Sequence, residues 1–165
     1  MYSITSIKAE VYTAAESAPT TTSLVFLGFG GREFRLDTAS DGDFTGPVNT
    51  VFILGGPGAN VLNPQRNDPT RPQITTRDLE RPVYLRLGPA GAAPEWVLEY
   101  AKVTAYGPSN EPLATWNTPA LRDNTEPKTR KIWLGDPYGL IYYLTRDAGS
   151  PTPTPTPEPP EPQSA

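Results

Sequence analysis

Asp37, Asp41 and Asp43 fall within one short stretch, with Asn49 close behind, and most of that stretch (Thr38 to Asn49, TASDGDFTGPVN) reads as a turn-rich loop. Calcium is held by six to eight hard oxygens, drawn from carboxylates, amides and backbone carbonyls, and loops supply them readily. These four residues are therefore a candidate calcium site, and calcium is the one cofactor the sequence suggests. The spacing is not that of an EF-hand, because the glutamate at the twelfth position is missing. Asp and Asn in turns also bond their own local backbone, so a purely local role stands beside the metal reading.

A second group lies in the long segment from Asn60 to Arg81. Asn60, Asn63, Arg66, Asn67, Asp68 and Arg71 offer amide, carboxylate and guanidinium groups of the kind that bind a sugar or a carboxylate. A carbohydrate-binding module is thus one functional reading, and ordinary solvation of a surface loop is the other. A third group pairs basic and aromatic residues. Arg122, Lys128, Arg130 and Lys131 precede Trp133, Tyr138, Tyr142 and Tyr143. Cations beside aromatic rings suit an anionic lipid surface, where the rings sit at the interface. Trp133 and Tyr142 could equally be core residues beside a solvated turn.

Catalysis has little to work with. The chain of 165 residues contains no histidine and no cysteine, which excludes Ser-His-Asp chemistry, imidazole or thiolate metal sites, thiol nucleophiles and disulfides. Carboxylate pairs such as Asp41 with Asp43, or Glu95 with Glu99, could serve hydrolysis, but nothing in the sequence orients them. A non-enzyme is expected. The net charge of −4 lacks the basic footprint that nucleic acid demands. No stretch approaches the ~20 apolar residues of a membrane-spanning helix, and the first residues carry no export signal of ordinary form. A cytoplasmic location is the default expectation, with association to a particle or cell surface as the alternative.

The elements that must position these residues read as short strands. Ile7, Ala9 and Val11 alternate with polar neighbours; Leu24 to Phe29 is a more continuous apolar run; Phe34 and Leu36 alternate again after Gly30-Gly31. Thr50 to Leu54 forms a fourth strand, and Asn60 to Arg81 is a loop long enough to be either functional or mobile. Val83, Leu85 and Leu87 precede a Gly-Pro turn. Trp96 and Leu98 then begin a run that Ala101, Val103 and Ala105 continue on shifted parity, which calls for a bulge near Glu99 and Tyr100. Pro82 to Tyr106 accordingly reads as a hairpin. Thr115-Trp116 and Lys131 to Leu134 are short strands, and Leu140 to Leu144 is the last. Weak helical periodicity and recurrent turns predict an all-β protein, an antiparallel β-sandwich over residues 1–147. Residues 148–165 contain SPTPTPTPEPPEPQSA, a disordered Pro/Thr-rich tail expected to favour extended polyproline II.

Two segments resemble the PLAT/LH2 domain, a small β-sandwich found in lipoxygenases, lipases and polycystins. Val11-Tyr12-Thr13, a polar loop and then Leu24 to Gly31 are similar to its opening strand, loop and apolar strand. Pro82 to Tyr106 is similar to its closing hairpin, where a Trp after a Pro-containing turn begins the strand. The resemblance implies a PLAT/LH2-like sandwich that binds a protein partner or a lipid surface through loops at one end, here Thr38 to Asn49 and Asn60 to Arg81. It also adds weight to calcium, which some members bind in such loops. A structural or assembly component of a larger particle or cell-surface structure is the alternative, suggested by a compact sandwich joined to a Pro-Thr spacer.

Overall fold

Ile7, Ala9 and Val11 are buried while Lys8, Glu10 and Tyr12 are not, so the first strand sets the arrangement: one face to the core, one to solvent. The computed structural model describes residues 1–15, 24–40, 42–88, 95–118 and 131–147. Asp41, Arg122, Lys128, Arg130 and the Pro/Thr-rich tail lie outside them. Among the described residues all strand pairing is antiparallel and falls into two sheets packed as a β-sandwich.

The larger sheet runs β10 (Thr145–Arg146), β7 (Pro112–Asn117), β6 (Trp96–Tyr106), β1 (Ser6–Thr13) and β4 (Val48–Leu54), with β8 (Ile132–Leu134) also paired to β6. The smaller sheet runs β3 (Arg32–Arg35), β2 (Leu24–Phe29), β5 (Tyr84–Gly88) and β9 (Ile141–Tyr143). Leu27, Phe34, Leu85 and Leu87 from the smaller sheet and Ile7, Phe52, Trp96, Leu98 and Val103 from the larger join one buried cluster. Burying such side chains contributes roughly 1.5–3 kcal/mol each, the main drive toward this architecture.

Local signals locate the turns and the bulge. Gly30 and Gly31 have φ of 60° and 79° and link β2 to β3; positive φ at both central residues is what the tightest hairpin loop needs. In the β1–β6 ladder Tyr12 faces Tyr100 but Thr13 faces Leu98, so Glu99 is the extra residue. That bulge switches β6 from the Trp96–Leu98 parity to the Ala101–Val103–Ala105 parity, as the sequence requires.

One expectation is corrected. Pro82 to Tyr106 is not a hairpin: β5 pairs with β2 and β9 in the smaller sheet, whereas β6 pairs with β1, β7 and β8 in the larger. Alternation tells which side chains go inward, and it is identical for two strands side by side and two strands on opposite walls of one core. Nor is Leu140 to Leu144 the last strand, since β10 follows it in the other sheet.

The segment between β4 and β5 is irregular apart from one 3-10 turn, Thr76–Glu80. It nonetheless contributes Val61, Ile74 and Leu79 to the core. The loop before β4 is fixed similarly, because Phe44 stacks on Phe52 at 5.5 Å and meets Trp96 edge-on at 5.3 Å.

Candidate functional site

Four of the large apolar side chains left exposed lie between residues 133 and 143: Trp133 (40%), Tyr138 (56%), Ile141 (44%) and Tyr143 (60%). Their placement follows from the local chain. Leu134 on β8 is buried, so Trp133 beside it must face out. A tight turn follows, in which Gly135 and Gly139 exchange backbone hydrogen bonds of 2.9 and 3.0 Å and the Tyr138 N–H also reaches the Gly135 carbonyl. The turn returns Tyr138 over Trp133, with ring centroids 6.0 Å apart and planes inclined by 55°. The two rings pack on one another and both remain partly exposed.

The same segment then enters β9 on the smaller sheet. Ile141 and Tyr143 face outward there, and Tyr142, on the opposite parity, packs against the core; burial raises the Tyr142 phenol above its ordinary value. Across the outer face Tyr143 meets Tyr84 edge-on at 5.7 Å. Tyr84 in turn lies over Gly28, where a Cβ would overlap its ring. Its hydroxyl donates to Glu33 Oε2 at 3.0 Å, and Arg86 grips the same carboxylate through Nε and Nη2 at 2.7 and 3.0 Å. Arg86 also covers the Phe26 ring at 4.3 Å. The bond from Arg86 holds the Glu33 carboxyl below its ordinary value, while burial, then the bond to Glu33, raises the Tyr84 phenol. The result is a fixed outer surface of rings joined by a bidentate ion pair.

Among the other sequence candidates, Asn60, Asn67 and Asp68 use their side-chain polar groups internally. Asn60 Oδ1 accepts from the Ile53 N–H at 2.8 Å and its Nδ2 donates to the Val51 carbonyl at 2.8 Å, along the outer edge of β4. Asn67 is buried, accepts from the Arg35 N–H at 2.9 Å and donates to the Leu62 carbonyl at 3.0 Å. Asn63 has φ of 51° and receives the amides of Arg66 and Asn67 on its carbonyl. Asp68 accepts from the Thr70 N–H and hydroxyl at 2.8 and 2.7 Å, and Arg71 approaches its other oxygen at 3.9 Å. The Arg66 side chain is exposed.

Of the candidate calcium residues, Asp37, Asp43 and Asn49 lie among the described residues and Asp41 does not. Both Asp43 carboxylate oxygens accept from Thr38, its N–H and its hydroxyl, at 2.7 Å. Asp37 pairs with Arg35 at 2.7 Å. Asn49 belongs to β4 and is exposed opposite Tyr12. No group of three or more metal-ligating acids occurs among the described residues.

Sequence reasoning singled out Trp133 and Tyr138 but passed over Glu33, Tyr84, Arg86 and Ile141. The signal was parity: Tyr84 and Arg86 alternate with buried Val83, Leu85 and Leu87, and Ile141 with Leu140, Tyr142 and Leu144. No family model, curated protein or solved structure matches the chain.

Proposed function

We propose that this chain is a non-catalytic, PLAT/LH2-like recognition module that docks through the Trp133–Tyr138 pair onto a lipid surface. The observation that carries the reading is that these two rings pack on each other yet stay 40% and 56% exposed. Trp and Tyr join an apolar ring to a polar tip and are favoured where one end is dry and the other wet. The sequence leading into Trp133 carries Arg122, Lys128, Arg130 and Lys131, charges that attract anionic headgroups. The absence of histidine and cysteine supports binding over catalysis, as does the internal use of Asp43 and Asp68.

The test is co-sedimentation with phosphatidylcholine vesicles, with and without phosphatidylserine, in EDTA and in calcium. Binding that rises with phosphatidylserine and falls at least tenfold in Trp133→Ala, Tyr138→Ala supports the reading. Failure to sediment with either vesicle overturns the lipid version. Recognition of a protein by the same two rings then becomes the reading to pursue, by affinity capture with the wild-type chain against the double variant.

A further inference from the structure

Open sheet edges are templates for further strands, and folded proteins usually blunt them. Two edges here are blunted by asparagine side chains. Asn60 satisfies the outward Ile53 N–H and Val51 carbonyl of β4, and Asn67 satisfies the outward Arg35 N–H of β3. β9, the other edge of the smaller sheet, has no such cover among the described residues.

The hydrogen-bond parity of β9 shows which groups it offers. Leu87 N–H donates to the Leu140 carbonyl and Leu144 N–H to the Val83 carbonyl, each at 2.8 Å. Ile141 and Tyr143, paired with Arg86 and Tyr84, therefore occupy the non-hydrogen-bonded positions of the β5–β9 ladder. Their N–H and C=O groups point away from β5, to the outer side of β9, which no described strand pairs. Residues 140 to 144, Leu-Ile-Tyr-Tyr-Leu, contain no charge, proline or glycine, the usual devices that discourage pairing.

We propose that β9 is a self-association edge, at which two copies of the chain pair antiparallel about a two-fold axis through Tyr142. The outward positions lie symmetrically on either side of Tyr142, so this operation sets Ile141 opposite Tyr143 of the partner subunit and Tyr143 opposite its Ile141. All four outward N–H groups and all four carbonyls then pair, and the two four-stranded sheets become one. The side chains brought together are a β-branched residue and an aromatic, a favourable cross-strand pair, with no like charges opposed. An isologous contact consumes β9 on both copies, and the asparagine-blunted edges of β3 and β4 do not extend it. Only a three-residue strand is shared, so the dimer forms reversibly and with concentration. The edge is separate from the Trp133–Tyr138 pair, and vesicle binding can fail without affecting it.

The full chain is to be followed by sedimentation equilibrium from about 10 μM to about 1 mM, a range suited to weak interfaces. A monomer–dimer equilibrium is expected, weakened at least tenfold by Tyr143→Lys and unchanged by Trp133→Ala, Tyr138→Ala; circular dichroism checks that each variant is folded. The register has its own test, because the chain has no cysteine. Directly opposed residues stand about 5.5 Å apart, within disulfide reach. Two copies of position 141 would be offset by two residues, roughly 8 Å, beyond it. A mixture of Ile141→Cys and Tyr143→Cys proteins should therefore cross-link on mild oxidation, and each alone should not. A monomer throughout the concentration range overturns the proposal. So does a dimer indifferent to Tyr143→Lys, or cross-linking as strong in either single variant as in the mixture.

Discussion

The indole N–H of Trp96 donates to the Thr13 hydroxyl at 3.0 Å, and both residues are almost wholly buried. The bond ties the end of β1 to the start of β6 beside the Glu99 bulge, where the ladder between them is interrupted. Thr13→Val keeps the side-chain shape but leaves a buried N–H without its acceptor, which costs about 1–3 kcal/mol. Trp96→Phe together with Thr13→Val removes both partners. Urea denaturation of the two single variants and the double should show a coupling of about 1 kcal/mol; strict additivity would mean that the bond contributes nothing.

Stability should depend on pH through Glu33. Its folded value is depressed below the ordinary 4.5, first by the bond from Arg86. The stabilisation is therefore complete above the unfolded value and is lost as pH falls through the folded one. Glu33→Gln should be less stable than wild type at pH 7, by no more than about 1 kcal/mol, because the pair is partly exposed and solvent-screened. The gap should close in acid. Chemical denaturation of both proteins across pH 2–7 reads it out, and a gap that persists below the folded value would assign the effect to packing.

Gly28 has its own consequence. Tyr84 lies where the side chain of any larger residue would project. Gly28→Val should displace the ring, break the Tyr84 bond to Glu33 and destabilise by about 1–3 kcal/mol, the usual cost of overpacking. The displaced phenol should also titrate nearer its ordinary value, because burial and Glu33 together raise it. Ultraviolet titration against a Tyr84→Phe control checks this.

The two asparagines that blunt sheet edges should differ in worth. Asn67 is buried, and Asn67→Ala removes its bonds to the part-buried Arg35 N–H and Leu62 carbonyl, which should cost about 1–3 kcal/mol. The bonds of Asn60 lie at an exposed edge, where water replaces the lost partners, and its loss should cost about 1 kcal/mol or less. Hydrogen exchange should report faster exchange at Arg35 in the first variant and at Ile53 in the second.

Asp43 separates the local role from the metal role. Asp43→Ala should lower stability by about 1–2 kcal/mol in EDTA, because its bonds to Thr38 need no ion. If calcium also bound through it, millimolar calcium would raise the wild-type melting temperature and widen the gap to the variant. Thermal melts with and without calcium compare the two.

What the sequence determined by itself was the inside and outside of the strands that alternate clearly. Ile7, Ala9 and Val11, then Leu85 and Leu87, are buried as their alternation requires, and the parity change in β6 locates the Glu99 bulge. Those signals are local, set by a side-chain period of two. Only the tertiary structure decided which strands share a sheet, because β5 and β6 bury the same kind of face whether they are neighbours or opposite walls. It alone turned the asparagines at 60 and 67 toward strand edges, since a side-chain amide is spent on whatever unpaired backbone comes within reach. It likewise left Trp133 outside: β8 is held on β6 with Leu134 inward, and a strand cannot bury two successive side chains on one face.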